Sequence, residues 1–465
     1  MNQKYNMDTL KGLSSEQYIK IILDLQQRIE ELEALINNPK KNSKNSSQPP
    51  STDRKPSSTE TKNKGGAKKG HKAHFRKKIT EPDKIITMDI DRCPNCGMRH
   101  GSKSNTYTTH QIIEIKSFEF EIIDIKRQKS TCGYGSQSIL APNPPGVLDN
   151  SLFGPNLTIL ILIMYYVNHV SIRNIHSFIE DFSTIKICRS SITNVLHRCG
   201  KVFKNNYDEI VKNVKNGKIV GIDETGWRVC DSNYWMWVFQ NEENTIFKIE
   251  NSRSSKVVKE VLGNDYNGIL VSDFFSVYGD ITQSHQKQKC LAHLIRELNY
   301  IYELTGKQDA SYSDRLIKLF QTAIKLKNEV QFGSDDFIKH RLDIEKELDA
   351  LINEEVIHKD EKRIKKRLSK YRTELLVFLY EEKVPATNNL REQALRSNVI
   401  HRKSCYGNKS LKGKQSYEVI SSLICSMKKR KENIYRGLKR LFEKKNEIIP
   451  KYDILKRISD LFNTS

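Results

Sequence analysis

Between Gly217 and Asp273 the chain reads as short strands, KIVGID, YWMWVFQ, TIFKIE and GILVSD, with one helical stretch, SSKVVKEVL, before the last of them. Strands broken by a single helix predict a mixed α/β sheet. The first and last are apolar runs, each followed at once by a carboxylate, Asp223 and Asp273. If those strands are neighbours, the two side chains emerge together at one sheet edge. Clustered carboxylates do not stay ionised side by side without a cation, so the pattern favours a divalent metal, and oxygen ligands with open positions suit Mg²⁺ or Mn²⁺. The same spacing also fits aspartates that merely end a strand and cap the following loop.

With 465 residues the chain is too long for one ordinary core, and two to four structured units joined by linkers are expected. The formal net charge of +22 makes a polyanion the expected partner, nucleic acid first and an anionic membrane surface second. The longest apolar stretch, Leu157 to Val167, is shorter than the roughly 20 residues that span a bilayer and reads as a buried core helix. The amino terminus lacks a basic region followed by an apolar run, so a cytoplasmic, nucleoid-associated protein is expected. Nine cysteines with one close pair do not make a disulfide framework, and most read as reduced core thiols.

Ahead of the strands the composition changes several times. Tyr18, Ile22, Leu25, Ile29, Leu32 and Ile36 form a heptad seam, predicting a coiled coil over 14–37 that pairs two copies of the chain. An amphipathic helix docked on its own domain gives the same pattern. Residues 38–80 are nearly devoid of apolar side chains and predict a disordered basic linker. From Asn37 to Thr80 there are 13 Lys and Arg against Asp53 and Glu60, a net of +11 and half of the whole excess. Lys68, Lys69, Lys72 and Arg76 are its candidate DNA contacts, neutralising phosphates without reading bases. The bland alternative is a solubilising linker.

Residues 81–140 alternate apolar and polar in KIITMDI from Lys84 and QIIEIKSFEFEIIDIKRQ from Gln111, predicting a small β module. Cys93 and Cys96, two residues apart in a turn, are half of a zinc ribbon, with Cys132 as a third candidate ligand for Zn²⁺. A second CxxC is absent, which leaves the fourth position to His100, His110, water or nothing, and a metal-free degenerate ribbon as the alternative. Residues 150–210 predict helices around a break near Ser183 to Ile187, the pattern of a helix-turn-helix and equally of any small helical domain.

Several separated motifs resemble, in order, those of the insertion sequence 66 (TnpC-type) transposases. They are Asp223-Glu224-Thr225-Gly226-Trp227, Leu270-Val271-Ser272-Asp273 with Tyr278, Cys290-Leu291-Ala292-His293, and Asn388-Asn389 with Glu392, Leu395 and Arg396. The coiled-coil start, the NSSQPPSTD linker, the Gly-Gly to Gly-His-Lys arm and the CxxCG turn resemble that family too, so the likeness covers nearly the full chain. It implies a multidomain α+β protein whose ribonuclease-H-like core, 216–293 with 385–410, is interrupted by a helical insertion, 294–384, and followed by a basic helical region, 411–465. It also implies a catalytic Asp223, Asp273, Glu392 triad holding Mg²⁺ or Mn²⁺, which cleaves element ends and transfers their 3′-hydroxyls to target DNA. Double-stranded DNA, a second copy of the chain and accessory proteins are the implied partners.

Further DNA contacts expected near the triad are His293, Asn388, Asn389, Arg396, Arg402 and Lys403, each with a structural alternative: a half-buried histidine, a helix cap or a solvated basic face. Trp227, Trp235 and Trp237 read as core or rim residues. Gln393 stands where the family commonly has arginine, and with the incomplete ribbon it motivates the rival reading of a catalytically impaired, transposase-derived DNA-binding protein. A ribonuclease or junction nuclease on the same core is the third.

Overall fold

The computed structural model describes residues 120–131, 138–183, 185–279, 281, 286–306 and 310–444, with short stretches and single positions before residue 120. The chain divides into two compact units, Met1–Asp53 with Asp124–Ser465, and Arg54–Ile123. The seven candidate contacts Lys68, Lys69, Lys72, Arg76, Cys93, Cys96 and Cys132 lie outside the described residues.

One expectation for the amino-terminal third is corrected. The alternating runs are not strands at 84–87 or 120–128; the strand pairing found is a short hairpin, β1 (Lys129–Thr131) with β2 (Ser138–Leu140). Alternation supplies a face, but a strand exists only where a second segment completes its ladder. Most of the linker lies outside the described residues; at its start the chain turns at 44–46, where Asn42 Oδ1 accepts the backbone N–H of Lys44 (2.8 Å) and Asn45 Oδ1 accepts that of Asn42 (2.7 Å). Asparagine side chains that bond nearby backbone hold such a turn without a core.

Helices come next. α1 (Pro155–Leu162) begins with proline, whose missing N–H costs nothing in a first turn, and continues into a π-turn at Ile163–Val167. Its Ile159, Ile161 and Leu162 are fully buried. α2 (Ile172–Phe182), capped by Ser171 Oγ accepting the Asn174 N–H, leads to α3 (Arg189–Val202) and α4 (Lys204–Lys215).

The sheet follows as β3 (Ile219–Val229), β4 (Ser232–Gln240), β5 (Thr245–Glu250), the helix α5 (Ser255–Leu262), β6 (Ile269–Ser272) and β7 (Lys287–Lys289). Its order is β5-β4-β3-β6-β7: β4 is antiparallel to β3 and β5, while β6 is parallel to β3 and β7. β3 runs past Asp223 because the DETGWRV segment continues as one arm of a hairpin. That hairpin closes on Cys230 and Asp231, both at positive φ (48° and 63°), as a tight two-residue turn needs.

Beyond β7 lie α6 (Leu291–Leu304), α7 (Tyr312–Glu329), α8 (Asp335–Asn353), α9 (Lys359–Lys370) and α10 (Arg372–Leu375). Leu294 and Leu298 of α6, Leu316 and Phe320 of α7, Leu348 of α8 and Leu368 of α9 share one buried cluster with Val271 of β6, so the inserted helices are anchored on the sheet through α6. The chain then returns to β3 as α11 (Asn389–Cys405), followed by α12 (Leu411–Lys429) and α13 (Ile434–Lys444).

α12 seals the open edge of the sheet. Edge strands leave alternate N–H groups without a partner. Here the N–H groups of Thr245, Phe247 and Ile249 on β5 donate to Ser426 Oγ (2.9 Å), Ser422 Oγ (2.8 Å) and Glu418 Oε1 (2.5 Å). A polar stripe at every fourth helix position meets every second strand residue, since eight helix residues (~12 Å) and four strand residues (~13 Å) have similar lengths. No described helix is long and apolar enough to cross a membrane.

Candidate active site

The pairing of β3 with β6 sets Gly221 opposite Val271. Asp223 and Asp273 each lie two residues beyond this last pair, so both leave the paired region at the same end of β3 and β6. Asp223 Oδ1 accepts the Glu224 N–H (2.9 Å), and Asp273 Oδ1 accepts the Phe275 N–H (2.9 Å), which closes a small turn.

α11 brings the third carboxylate. Pairing between β3 and β6 ends at Gly221, and Asn388, the residue before α11, donates Nδ2 to the next carbonyl, Ile222 O, at 3.1 Å. Its N–H donates to Cys290 Sγ (3.0 Å). At the far end of the helix, Arg402 Nη1 donates to Gly226 O. Between these ties Arg391 passes beneath the strand, so close to Gly221 that an added Cβ there would lie 1.8 Å from its Nε. Any side chain at 221 would require the guanidinium to move. These ties hold the first turn of α11, which carries Glu392, beside β3.

Burial, followed by the carboxylates of Glu224 and Asp273 and more weakly that of Glu392, pushes Asp223 up to about 8. Carboxylates from three separate elements thus bear on Asp223. Glu224 is held apart: its side chain is almost fully buried, Arg253 Nε donates to it at 2.9 Å, and Tyr278 donates its hydroxyl. Arg391, buried to 5% exposure, lies near enough to Asp223 for the carboxylate to raise its guanidinium, although burial lowers it overall to about 10. Lys289 Nζ, also buried, donates to Asp273 O (3.0 Å).

Glu392 itself is engaged elsewhere. Arg296 Nη2 lies 3.1 Å from its Oε2, and His293 Nε2 lies 3.6 Å from Oε1. Among the described residues, the one group of three metal-capable side chains whose ligand atoms all fall within 4.8 Å of one another is Cys290, His293 and Glu392. The two aspartates with Glu392 do not reach that spacing.

A cleft of about 540 Å³ opens in front of Asp273 and His293. Its cationic lining is Lys41, Arg253, Arg296, Arg363 and Arg367; Phe274, Phe275 and Tyr300 supply aromatic faces, and Asn45 and Ser46 a polar rim. Arg253 stacks over Phe275 (4.0 Å) and Trp235 (4.5 Å). Arg363 and Arg367, both on α9, are steadied by ion pairs to Glu297 on α6, so the insertion delivers its charge to the cleft. Asn45 Nδ2 donates to Glu303 (2.5 Å), seating the linker turn on α6.

The expected DNA contacts fare differently. Asn389, Arg396 and Lys403 are exposed, and His293 faces the cleft. Asn388 is fully buried and fastened to Ile222, which corrects its expected place among surface contacts; Arg402 is likewise committed to Gly226. Trp227 and Trp237 are buried, and Trp235 lies at the rim under Arg253. Sequence reasoning did not single out Arg253, Lys289, Arg296 or Arg391: in a chain with 78 Lys and Arg, an isolated basic residue has no pattern to mark it.

Comparison with known proteins fits this arrangement. The protein y4qI of Sinorhizobium fredii (strain NBRC 101917 / NGR234) is 21% identical over 347 residues, 67% of this chain, and the match spans 63% of that protein's length. The sequence model of the Transposase IS66 family matches residues 150–416, which contain β3, β6, α6, the inserted helices and all of α11. The chain belongs to the IS66 family of transposases.

Proposed function

We propose that the chain is a transposase whose Asp223, Asp273 and Glu392 act together in metal-dependent phosphoryl transfer on DNA. One observation carries this reading: the β3–β6 register brings Asp223 and Asp273 out at the same end of adjacent strands, and the charge of Glu392, from a helix laid across β3, is felt at Asp223. The strand order, with the first long strand central and flanked by one antiparallel and one parallel neighbour, supports a ribonuclease-H-like core.

The residues fit divalent ions. Burial, and after it the neighbouring carboxylates, hold Asp223 up near 8, a setting that a bound cation would relieve, and oxygen donors with access to a cleft suit Mg²⁺ or Mn²⁺. Such ions, when bound, supply the acidity that activates a hydroxyl and offsets charge on the leaving oxygen. The protein's own groups do the rest. Asp223 and Asp273 fix the ligand geometry from strands anchored by Arg391 and Lys289, and Arg296 exchanges Glu392 for a phosphate oxygen as DNA enters. Arg253, Arg363 and Arg367 neutralise flanking phosphates. Water attacks phosphorus and the P–O3′ bond breaks at the element end; in strand transfer the freed 3′-hydroxyl attacks a target phosphate, whose own 3′-oxygen leaves. The exposed Arg396 and Lys403 extend the basic track, and self-association through 14–37 would pair two ends.

The experiment uses the full chain with Mg²⁺ and linear DNA carrying the inverted repeats that flank its reading frame. Nicked and joined products are expected from the parent, and binding without products from Asp223→Ala. Equal product from that variant would overturn the assignment. Tight, salt-sensitive binding by the parent with no product under any metal would favour the impaired DNA-binding reading, which the Arg296–Glu392 pair motivates.

A further inference from the structure

Cys290, His293 and Glu392 come together where two helices start. Cys290 is the residue before α6, His293 lies in its first turn, and Glu392 lies in the first turn of α11. Asn388 N–H to Cys290 Sγ (3.0 Å) and Leu291 N–H to Ala386 O (3.0 Å) bind these starts to each other. Helix starts present partial positive charge and unpaired N–H groups, a setting that favours anionic sulfur and oxygen.

We propose that Cys290, His293 and Glu392 form a binding site for a borderline-soft divalent cation, Zn²⁺ by its chemistry, which draws Glu392 away from Asp223 and Asp273 and thereby inhibits phosphoryl transfer. The site stands on geometry alone; the inhibitory half rests on the function proposed above.

The ligand set is selective. Thiolate, imidazole and carboxylate together suit zinc, whereas Mg²⁺ prefers oxygen throughout, so the two sites sort cations by hardness. In a tetrahedral zinc site, bonds of about 2.0–2.3 Å place ligand atoms roughly 3.3–3.8 Å apart. His293 Nε2 and Glu392 Oε1 already lie at 3.6 Å, and no ligand pair in the trio exceeds 4.8 Å. Side-chain rotation closes the remainder, and the fourth position opens to the cleft that His293 lines.

Charge balances as well. A dication with one thiolate, one carboxylate and a neutral imidazole is neutral overall, which a fully buried sulfur requires. Binding of the ion displaces the thiol proton of Cys290 to solvent. Arg391, 5% exposed and with Nε and Nη1 lacking hydrogen-bond partners among the described residues, lies within electrostatic range of Cys290. Arg296 swings off Glu392 toward the cleft when the cation binds.

The test uses Co²⁺ as an optical probe for zinc, in full-length protein carrying Cys93→Ser, Cys96→Ser and Cys132→Ser so that those thiols contribute nothing. One equivalent of Co²⁺ should bind with a near-ultraviolet thiolate-to-metal absorption band. Cys290→Ser should abolish the band, and His293→Gln, whose partly exposed side chain is easily replaced, should weaken binding by about tenfold or more. A band unchanged in either variant, or no band in the parent, overturns the site. In the second arm, one equivalent of Zn²⁺ should suppress Mg²⁺-driven cleavage by the parent, and His293→Gln should need about tenfold more Zn²⁺ for the same fractional loss. Parent cleavage indifferent to Zn²⁺ overturns the inhibitory half. Because the optical arm needs no DNA, failure of the phosphoryl-transfer reading would leave it intact and readable.

Discussion

Arg296 Nη2 lies 3.2 Å from Glu392 Oε1 and 3.1 Å from Oε2, so a single nitrogen spans the carboxylate expected to complete the triad. Three acids facing one another without a cation would repel, and the arginine relieves this by taking the most movable one, which sits on a helix rather than a strand. The pair is partly exposed, and pairs of that kind contribute about 1 kcal/mol or less. Arg296→Gln should therefore free Glu392 and tighten Mn²⁺ binding about fivefold, the equivalent of ~1 kcal/mol. Calorimetric titration of the DNA-free protein measures it. Unchanged or weaker Mn²⁺ binding would show that Arg296 is not competing for Glu392.

Asp223 sets a pH and metal dependence whose sign can be worked out. Its folded value, about 8, lies above the unfolded carboxylate value near 4, so the folded state holds the proton that the unfolded state releases. Its contribution to stability is fully present below about pH 4 and is lost as pH rises through 8. Asp223→Asn removes that loss and should stabilise the metal-free protein at pH 7.5 by a few kcal/mol. Mg²⁺ should raise the unfolding midpoint of the parent and leave that of the variant nearly unchanged. Thermal melts at pH 5 and 7.5, with and without Mg²⁺, give both answers.

The close approach of Arg391 to Gly221 carries a third expectation. Alanine at 221 would force its Cβ onto the guanidinium, and overpacking of this kind costs about 2 to 3 kcal/mol. Arg391→Ala removes the obstruction, so the double variant should recover at least about 1 kcal/mol relative to the sum of the singles. Additive losses in denaturant melts would mean that the contact does not define the position.

Some of this was legible in the sequence, for physical reasons. A short apolar strand followed by a carboxylate is a local pattern, so Asp223 and Asp273 could be found and their sheet anticipated. Glu392 lies 119 positions beyond Asp273, and only the ordered motifs around it marked it. The extension of β3 to Val229 was not legible, since its hairpin turns on Cys230 and Asp231 without the glycine that usually announces such a turn. Arg391 and Arg296 acquire their meaning from Gly221 and Glu392, contacts that no local window contains. At 84–87 and 120–128 alternation is present, but no segment pairs with them among the described residues.

The α12 seal on β5 shows the same limit and makes a fourth prediction. Glu418, Ser422 and Ser426 read as an ordinary polar stripe until β5 is known to be an edge. Ser422→Ala would leave the buried Phe247 N–H without an acceptor, at about 1–3 kcal/mol. Amide exchange at Phe247 should accelerate while exchange within β4 stays slow, provided the edge opens locally. Uniform acceleration across the sheet would instead place α12 in the global unfolding unit.

His401 supplies the last expectation. It is fully buried beside Tyr165 (4.7 Å between centroids) and Tyr417 (4.8 Å). Burial, reinforced by nearby His169, lowers it to about 3. The unfolded histidine titrates near 6.5, so the folded state resists a proton that the unfolded state accepts. The resulting stability is complete above pH 6.5 and falls by about 1.4 kcal/mol per pH unit as pH drops toward 3. Asp223 acts with the opposite sign over much of that window, so the parent alone will show a flattened profile. The difference between His401→Phe and the parent isolates the histidine: phenylalanine fills the same aromatic nest without ionising, and its advantage should grow steadily from pH 6.5 to pH 4. A difference independent of pH would mean that water reaches the ring and protonation is tolerated there.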